Sequence, residues 1–354
     1  MTREIFPALR ELYCGYGYQP FRVRKFERYE LYSENKRFLT TEKVLTFTNT
    51  DGRLMAMKPD VTLSIVQDAQ PDGLRKVFYH ENVYREQRPG EGFREIPQAG
   101  LECIGALDDY SQGEVVMLAA RSLLAIGEPC VLAVSHIGVV AGVLERAALS
   151  EETRAAVYAA VAAKNTPAIR QLCDAETAEM LSALVGLYGP LADTLVQAEA
   201  LPLPEKSRAA LHELRRLSEQ LSLYGLAGVR LDFSVVNDVA YYDALVFRGF
   251  VEGASSAVLA GGRYDNLLRR MGKPGGALGF AVYLDRLETV NTPRPAYDAD
   301  TLVCYATAAD VPLAIETAET LRAQGQTVRV ERAHPKELRF RRRLYVEKGA
   351  VREC

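Results

Sequence analysis

Two long strand-like stretches, separated by one short loop, most constrain the fold of this chain. LRKVFYHENVYREQ covers residues 74–87 and REIPQAGLECIG covers residues 94–105. The loop between them contains Arg88-Pro89-Gly90 and Gly92, residue types that interrupt regular structure. Runs rich in β-branched and aromatic residues on either side of such a loop predict two strands of one sheet.

A further hairpin precedes these strands, and a helix follows them. The run VLTFTNTDGRLMAMKPD alternates apolar and polar residues around Asp51-Gly52, a dipeptide that favours tight turns. YSQGEVVMLAARSLLAIG has the apolar pattern of a helix, which we expect to end at Gly127. Residues 1–137 are therefore expected to mix strands with helices.

From about residue 139 to 225 the pattern changes to amphipathic helices. TRAAVYAAVAA, AEMLSALVGLY and SRAALHELRRLSEQL carry apolar residues at three- and four-residue steps. We expect this helical insertion to pack against the rest of the chain without chemistry of its own. Strand patterns return in VRLDFSVV, YYDALVFRGFV and SAVLAGG.

The length of 354 residues and the hydrophobic content of 48% suit two domains. We expect a core over residues 1–292, a proline-containing linker over 293–300, and a small C-terminal α/β region over 301–354. That region begins as a β–α–β unit and then stops, so we expect it to be truncated. The basic run RFRRRL within it is interpreted as a solvated helix face.

Composition excludes several classes of protein. The net charge of −3 gives no broad basic surface of the kind that nucleic-acid binders carry. Six scattered cysteines form no CxxC pair and the four histidines have no metal or catalytic spacing, so no metal site is expected. Neither a signal peptide nor an apolar run of about 18 residues is found. We expect a cytoplasmic protein with no membrane partner.

The segment PQAGLEC is the first candidate for a binding site. In a strand, Gln98, Gly100 and Glu102 share one face, because side chains alternate. Gly100 leaves room there, and the two polar side chains can accept hydrogen bonds from a small ligand. An ordinary solvent-facing strand explains the same pattern and is the simpler interpretation.

Three other stretches could hold an anion or a small ligand. Arg85 follows on the neighbouring strand and could clamp a phosphate or carboxylate, although such residues often form a solvated loop tip. Asp60 precedes a predicted helix, for which a capping role is sufficient explanation. Gly261-Gly262-Arg263 is predicted to turn at a helix start, where backbone can approach a ligand closely.

Taken in order, these motifs resemble the histidyl branch of the class II aminoacyl-tRNA synthetases. FYHENVYREQRPGEGFREIPQAGLECIG is similar to the strand–loop–strand motif of that class. AGGRYDNLLRRMGKPGGALGFAVYLDRL is similar to the branch's glycine-rich strand and last helix, and TFTNTDGRLMAMKPDVT to its hairpin and amino-acid loop. The resemblance covers roughly residues 1–290. It implies an α/β fold with a central antiparallel sheet flanked by helices, and dimerisation through the N-terminal region.

The resemblance also implies a binding site for histidine. Six residues would surround the amino acid: Asp60, Thr62, Gln98, Glu102, Tyr241 and Tyr242. Asp60 replaces the glutamate that is usual in the synthetases. Arg85 matches an arginine that meets the α-phosphate of ATP, Arg286 matches one that stacks on adenine, and Arg263 belongs to the same anion-binding remnant. Whether ATP still binds is left open, and no other cofactor is implied.

One departure from the synthetase pattern bears on catalysis. Where the synthetases carry Arg-Gly-Leu-Asp-Tyr-Tyr, this chain has NDVAYY, so Asn237 replaces the arginine that bridges carboxylate and phosphate. Ala240 replaces the aspartate. Removing one such preorganised donor typically costs ~2.7–4 kcal/mol of transition-state stabilisation. The resemblance therefore implies a protein without catalytic residues, unless Arg230 or Arg248 supplies the missing charge.

A synthetase-like pocket without this arginine resembles the regulatory-subunit branch that accompanies short-form ATP phosphoribosyltransferase. That resemblance implies a hetero-oligomer of the catalytic subunit with a dimer of this chain, and feedback inhibition by histidine; tRNA is not an expected partner. Two alternatives stay open: an active histidyl-tRNA synthetase or related amino-acid-activating enzyme, favoured by Arg85 and Arg286, and a free-standing histidine-binding module.

Overall fold

The computed structural model describes residues 2–39, 43–69, 73–86, 90, 92–226, 228–236, 241–287, 297–335 and 337–353. It divides into two compact units, Met1–Val290 and Asn291–Cys354. The first half of the predicted linker, residues 293–296, falls outside the described ranges. No helix in the described part of the chain is long and apolar enough to span a bilayer.

The first unit alternates strands with helices along the chain. Its helices are α1 (Thr2–Gly15), α2 (Tyr29–Glu34), α3 (Thr62–Asp68), α4 (Asp109–Ile126), α5 (Ile137–Leu144), α6 (Glu151–Ala162), α7 (Thr166–Leu172), α8 (Ala175–Gly186), α9 (Leu191–Glu199), α10 (Glu205–Leu223) and α11 (Asp265–Arg270), with short 3₁₀ turns at Lys36–Phe38 and Leu284–Leu287. Its strands are β1 (Gln19–Pro20), β2 (Phe26–Arg28), β3 (Thr46–Thr48), β4 (Leu54–Met57), β5 (Leu74–Glu86), β6 (Phe93–Gly105), β7 (Cys130–His136), β8 (Tyr188–Pro190), β9 (Val229–Asp232), β10 (Leu245–Val251), β11 (Leu259–Arg263) and β12 (Gly276–Tyr283).

Most of these strands form one large sheet. Among the described residues its order is β1-β5-β6-β12-β11-β10-β7-β9-β8. Every pairing from β5 to β7 is antiparallel, whereas β1 joins β5 and β9 joins β7 in parallel. The predicted antiparallel sheet flanked by helices is confirmed, as is the predicted β5–β6 pair.

Helices cover one face of the large sheet. Leu101, Phe247 and Phe280 lie on that face and join a core that includes buried residues of α1, α4 and α10. Leu181 of α8 and Leu214 of α10 belong to the same core. The helical insertion is thus packed onto the sheet as expected, and its one strand, the three-residue β8, extends the sheet edge.

Local capping fixes where several helices begin. Asp108 accepts a hydrogen bond from the Ser111 backbone N–H at 2.8 Å, and the Ser111 hydroxyl accepts one from the Asp108 N–H at 2.9 Å. Ser150 accepts from the Thr153 N–H at 3.1 Å at the start of α6. These bonds satisfy backbone donors that a helix leaves open in its first turn.

The opposite face of the sheet is only partly covered. The strands β2-β4-β3 form a small sheet beside it, and the hairpin predicted around Asp51-Gly52 is the β3–β4 pair. Tyr32, Val61 and Leu267 pack in a second core with residues of β5 and β6. The part of this face above β6, β12 and β11 is left accessible to a ligand.

The second unit is a small α/β structure. It contains strands β13 (Ala299–Tyr305), β14 (Val328–Glu331), β15 (Phe340–Glu347) and β16 (Ala350–Glu353), helix α12 (Val311–Ala323) and a 3₁₀ turn at Ala308–Asp310. The sheet order is β14-β13-β15-β16. The predicted helix over RFRRRL is wrong, because all but the first of these residues lie in β15, which pairs in parallel with β13. Consecutive exposed arginines hide the two-residue alternation of that strand.

The expected turn at Gly261-Gly262-Arg263 is also wrong. All three residues lie within β11, between β10 and β12. A Cβ on Gly261 would lie 2.4 Å from the carbonyl oxygen of Gly279 and 2.4 Å from the Cβ of Phe280. The glycine is required by close packing on the helix-covered face rather than by a turn.

We expect Gly261→Ala to lower the free energy of unfolding by about 1–3 kcal/mol, the usual cost of overpacking a core. The added methyl group meets backbone atoms that cannot move aside. Gly186→Ala is the matched control, because a Cβ there would have nothing within 4 Å at the end of α8. Urea denaturation of both variants checks this; equal stability would contradict the packing argument.

Candidate functional site

Two rows of side chains cross the accessible face of the large sheet. Residues directly opposite one another in neighbouring strands point to the same side. The first row runs from β5 to β9 through Tyr79, Gly100, Ala281, Ala260, Arg248, Ala133 and Arg230. The second runs from β5 to β7 through Val77, Glu102, Gly279, Gly262, Val246 and Ser135. Glycine and alanine occupy the middle of both rows, which leaves a floor without tall side chains.

A cleft lies over this floor. It is lined by Asp60, Val61, Thr62, Tyr79, Arg85, Gln98, Glu102, Tyr241, Tyr242, Ala260, Tyr264, Gly279, Phe280, Ala281 and Tyr283. All six residues for which the resemblance predicts contact with histidine are therefore brought together.

Glu102 is the central buried charge-bearing group of the cleft. Its side chain is 2% exposed. The Thr62 hydroxyl donates to Oε1 at 2.8 Å, and the Tyr264 hydroxyl donates to Oε2. Burial raises the pKa of Glu102 to about 8; the two hydrogen bonds offset part of that rise, and the nearby Asp60 adds to it. The ligand-free site therefore holds a proton on this carboxyl group at neutral pH.

Glycines allow polar side chains to lie flat on the floor. A Cβ at Gly279 would lie 1.7 Å from Oε2 of Glu102. At Gly100 it would lie 2.6 Å from the Tyr79 hydroxyl. A Cβ at Gly262 would lie 2.7 Å from the Tyr242 ring. Since no larger residue fits beneath these groups, the depth of the cleft depends on the three floor glycines.

Asp60 lies at the side of the cleft, just before α3. Its Oδ1 accepts a hydrogen bond from the Leu63 backbone N–H at 2.9 Å, so the predicted capping contact is present. Burial raises the pKa of Asp60, while the Leu63 bond and the positive charge of Arg85 act in the opposite direction. Asp60 therefore caps a helix and lines the site at once.

Gln98 supplies an unused hydrogen-bond donor. The side chain is 4% exposed, and its Nε2 has no hydrogen-bond partner among the described residues. Buried polar atoms are nearly always paired, so such an atom in a cleft indicates a missing ligand or water. The simpler interpretation of PQAGLEC as a solvent-facing strand is wrong, because both Gln98 and Glu102 are buried.

Tyrosine rings form part of the cleft wall. The rings of Tyr241 and Tyr242 meet edge-to-face at 4.8 Å between centroids, and Tyr241 also packs against Tyr264 at 5.5 Å. Burial, followed by the nearby Asp60 and Glu102 carboxyl groups, raises the pKa of Tyr241. The Tyr241 hydroxyl group therefore stays protonated and can donate or accept hydrogen bonds at neutral pH.

The arginines of the predicted anion-binding remnant do not share one location. Arg85 lines the cleft. Arg263 does not, because alternation in β11 directs it to the other face, where its Nε donates to Asp265 at 2.9 Å and Nη1 to Gln112 at 3.4 Å. Arg286 is exposed beside the cleft, with its guanidinium 4.1 Å from the ring centroid of Tyr283. The interpretation of Arg263 as a ligand-binding residue is thus corrected.

Some predicted or suspected residues cannot be placed. Arg88, Asn237 and Ala240 lie outside the described residues.

Tyr264 is a site residue that sequence reasoning missed. It follows Ala260 and Gly262 at two-residue steps, so treating GGRY as a strand would have put it on the cleft floor.

The chemistry of the cleft favours a small ligand rich in N–H groups. Carboxyl groups of Asp60 and Glu102 can accept from such groups, and tyrosine rings provide flat apolar walls. Among the described residues, no group of three or more His, Cys, Asp or Glu side chains is placed to hold a metal ion.

Comparisons with known proteins find matches over most of the chain. The histidyl-tRNA synthetase family model matches residues 1–287. An ATP phosphoribosyltransferase regulatory subunit from Anaeromyxobacter dehalogenans is 32% identical over 81% of this chain and 87% of its own length. Another, from Acetivibrio thermocellus, is 29% identical over 91% of this chain and 81% of its length.

Solved structures give the same result. An ATP phosphoribosyltransferase regulatory subunit/histidyl-tRNA synthetase from Bacillus halodurans matches with a TM-score of 0.76 at 26% identity, over 93% of this chain and 88% of that one. The ATP phosphoribosyl transferase (HisG:HisZ) complex from Thermotoga maritima matches in fold, with a TM-score of 0.63 at 19% identity, over 80% of this chain and 97% of that one. The chain therefore belongs to the histidyl-tRNA synthetase family and, within it, to the ATP phosphoribosyltransferase regulatory subunits.

Proposed function

We propose that this chain binds free histidine in the cleft and transmits its presence to the catalytic subunit of a short-form ATP phosphoribosyltransferase. One observation carries this proposal. The same cleft is lined by the buried Glu102 carboxyl group and by the Gln98 side chain, whose amide nitrogen has no hydrogen-bond partner among the described residues. An imidazole and an α-ammonium group both need acceptors, and Glu102 and Asp60 provide them.

The shape of the cleft supports an amino acid as the ligand. The three floor glycines give the cleft its depth beneath Glu102, Tyr79 and Tyr242. Tyr241 and Tyr264 would flank a flat ring on its faces or edges. The site would discriminate against ligands without a suitable N–H group, because such a ligand would leave a buried carboxyl group without a hydrogen-bond partner at a cost in binding free energy.

Regulation through a partner is supported by the family to which the chain belongs. Two relatives carry the name ATP phosphoribosyltransferase regulatory subunit, and a structural neighbour was solved as a HisG:HisZ complex. For histidine to inhibit, it must bind one state of the assembly more tightly than another. A hetero-oligomer built on a dimer of this chain would provide such states.

The absence of synthetase activity is proposed to follow from Asn237, where the resemblance places a catalytic arginine. An asparagine cannot offset the charge that develops when a carboxylate attacks a phosphate. The proposal also places the chain in the cytoplasm, where cysteines stay reduced. In the described part of the chain, Cys14, Cys103, Cys130 and Cys173 are free thiols.

We expect the chain to make a short-form catalytic subunit sensitive to histidine. ATP phosphoribosyltransferase activity of the mixed subunits should fall as L-histidine is added, and the two proteins should elute together in size-exclusion chromatography. The chain alone should give negligible histidine-dependent ATP–pyrophosphate exchange. Exchange at a synthetase-like rate would show that the chain is an enzyme, and activity indifferent to histidine would refute the sensor.

Replacing Glu102 should weaken histidine binding. Glu102→Gln keeps the shape of the side chain but removes an ionisable acceptor, and hydrogen bonds to charged groups contribute about 1.5–3 kcal/mol. We expect a loss of affinity of about 10- to 100-fold in isothermal titration calorimetry. Glu95→Gln is the control, since Glu95 lies on the same strand but is exposed. Equal affinity of both variants would exclude Glu102 from the ligand site.

The raised pKa of Glu102 predicts how stability depends on pH. In the unfolded chain the group ionises near 4.5, whereas in the ligand-free fold it keeps its proton up to about 8. The folded state therefore binds more protons between these values, so its free energy of unfolding falls as pH rises. Glu102→Gln lacks this effect. The difference in melting temperature, variant minus parent, should therefore increase as the pH is raised from 5 to 8. A difference that stays constant with pH would mean that the carboxyl group is ionised in the fold.

A further inference from the structure

The row of small side chains on the cleft floor ends at an arginine. Arg248 lies opposite Ala260 in the β10–β11 pair, and Ala260 lies opposite Ala281 in the β11–β12 pair. Both alanines line the cleft. Because opposite residues share a face, the partly buried Arg248 side chain stands on the same floor as the ligand cavity.

Nothing taller than a methyl group separates Arg248 from the cavity along this row. Its Cα is three strands from Gly100, or about 14 Å at the usual spacing of about 4.8 Å. An arginine stem can lie along apolar surface while its charged end reaches further. Over Ala260 and Ala281, the stem would bring the guanidinium to the side of the cavity away from Glu102.

The cleft lining holds the Asp60 and Glu102 carboxyl groups near the Arg85 guanidinium. Asp60 and Glu102 are on the α3 and β6 side. Arg85 is on that side too, and its positive charge acts on Asp60, lowering the pKa that burial has raised. A ligand that directs its N–H groups to these carboxyl groups would leave its own carboxylate pointing along the floor, toward β10.

We propose that Arg248 receives the carboxylate of the amino acid bound in the cleft and thereby makes the site prefer amino acids to the corresponding amines. This inference rests on the proposed histidine site and assigns one of its specificity-determining residues. A guanidinium suits the task, because its planar donors match a carboxylate with two parallel hydrogen bonds. It would recognise the ligand without taking part in any reaction.

The test compares L-histidine with histamine, which lacks the carboxylate. Calorimetric titrations use the full chain, Arg248→Ala and Arg248→Lys, with Arg230→Ala as the matched control. Arg230 belongs to the same row but lies two strands further out. We expect Arg248→Ala to lose affinity for histidine by about 10- to 100-fold while its affinity for histamine is unchanged. Arg248→Lys should keep part of the preference, and Arg230→Ala should behave as the parent.

Each contrary outcome has a separate meaning. If Arg248→Ala prefers histidine over histamine as strongly as the parent, the assignment of Arg248 is overturned and the histidine site stands. If Arg85→Ala alone abolishes that preference, the carboxylate belongs to Arg85 instead. If the parent chain binds neither compound, the proposed histidine site itself fails. Arg248→Gln, a shorter and uncharged polar replacement, serves where the alanine variant is unstable in a thermal melt.

Discussion

The burial of Glu102 is the interaction on which the rest of the cleft depends. A carboxyl group in a site this closed would ionise only at a considerable free-energy cost, so in the ligand-free state it holds a proton and accepts hydrogen bonds from Thr62 and Tyr264. The strand pairing that places Gly279 directly opposite Glu102 gives the carboxyl group its space. A ligand cation or N–H group in contact with Glu102 would favour the ionised carboxylate and so offset the free-energy cost of its ionisation.

The fold serves this arrangement by treating the two faces of one sheet differently. Leu101 and Phe280 are buried against helices on one face, where they stabilise the domain. On the other face, alternate residues of the same strands are glycine, alanine or polar groups. Antiparallel register then aligns the small residues of adjacent strands into continuous rows. A shift of register by one residue would exchange the two faces, so the hydrophobic core also fixes the cleft.

Alternation along strands explains both what the sequence could predict and what it could not. It placed Gln98 and Glu102 on one face correctly, since PQAGLEC has one apolar and one polar set. Alternation could not show that Gln98 and Glu102 are buried, because their burial depends on residues of β12 and α3 that pack around them. Arg263 and Tyr264 were misjudged because two glycines were interpreted as a turn, whereas close packing against Phe280 requires the first of them in a strand. The strand β15 was missed because three successive arginines have no alternation.

Recognition and catalysis make different demands on such a cleft. Under the proposed function, recognition needs acceptors for the N–H groups of an amino acid, which Asp60 and Glu102 would supply, and these act on the ground state. Activation of the amino acid would also need positive charge where a carboxylate and a phosphate converge, and that charge matters only in the transition state. A substitution at position 237 can therefore remove the second property and spare the first. The same binding free energy, no longer coupled to a reaction, is then available to shift the equilibrium between states of an assembly.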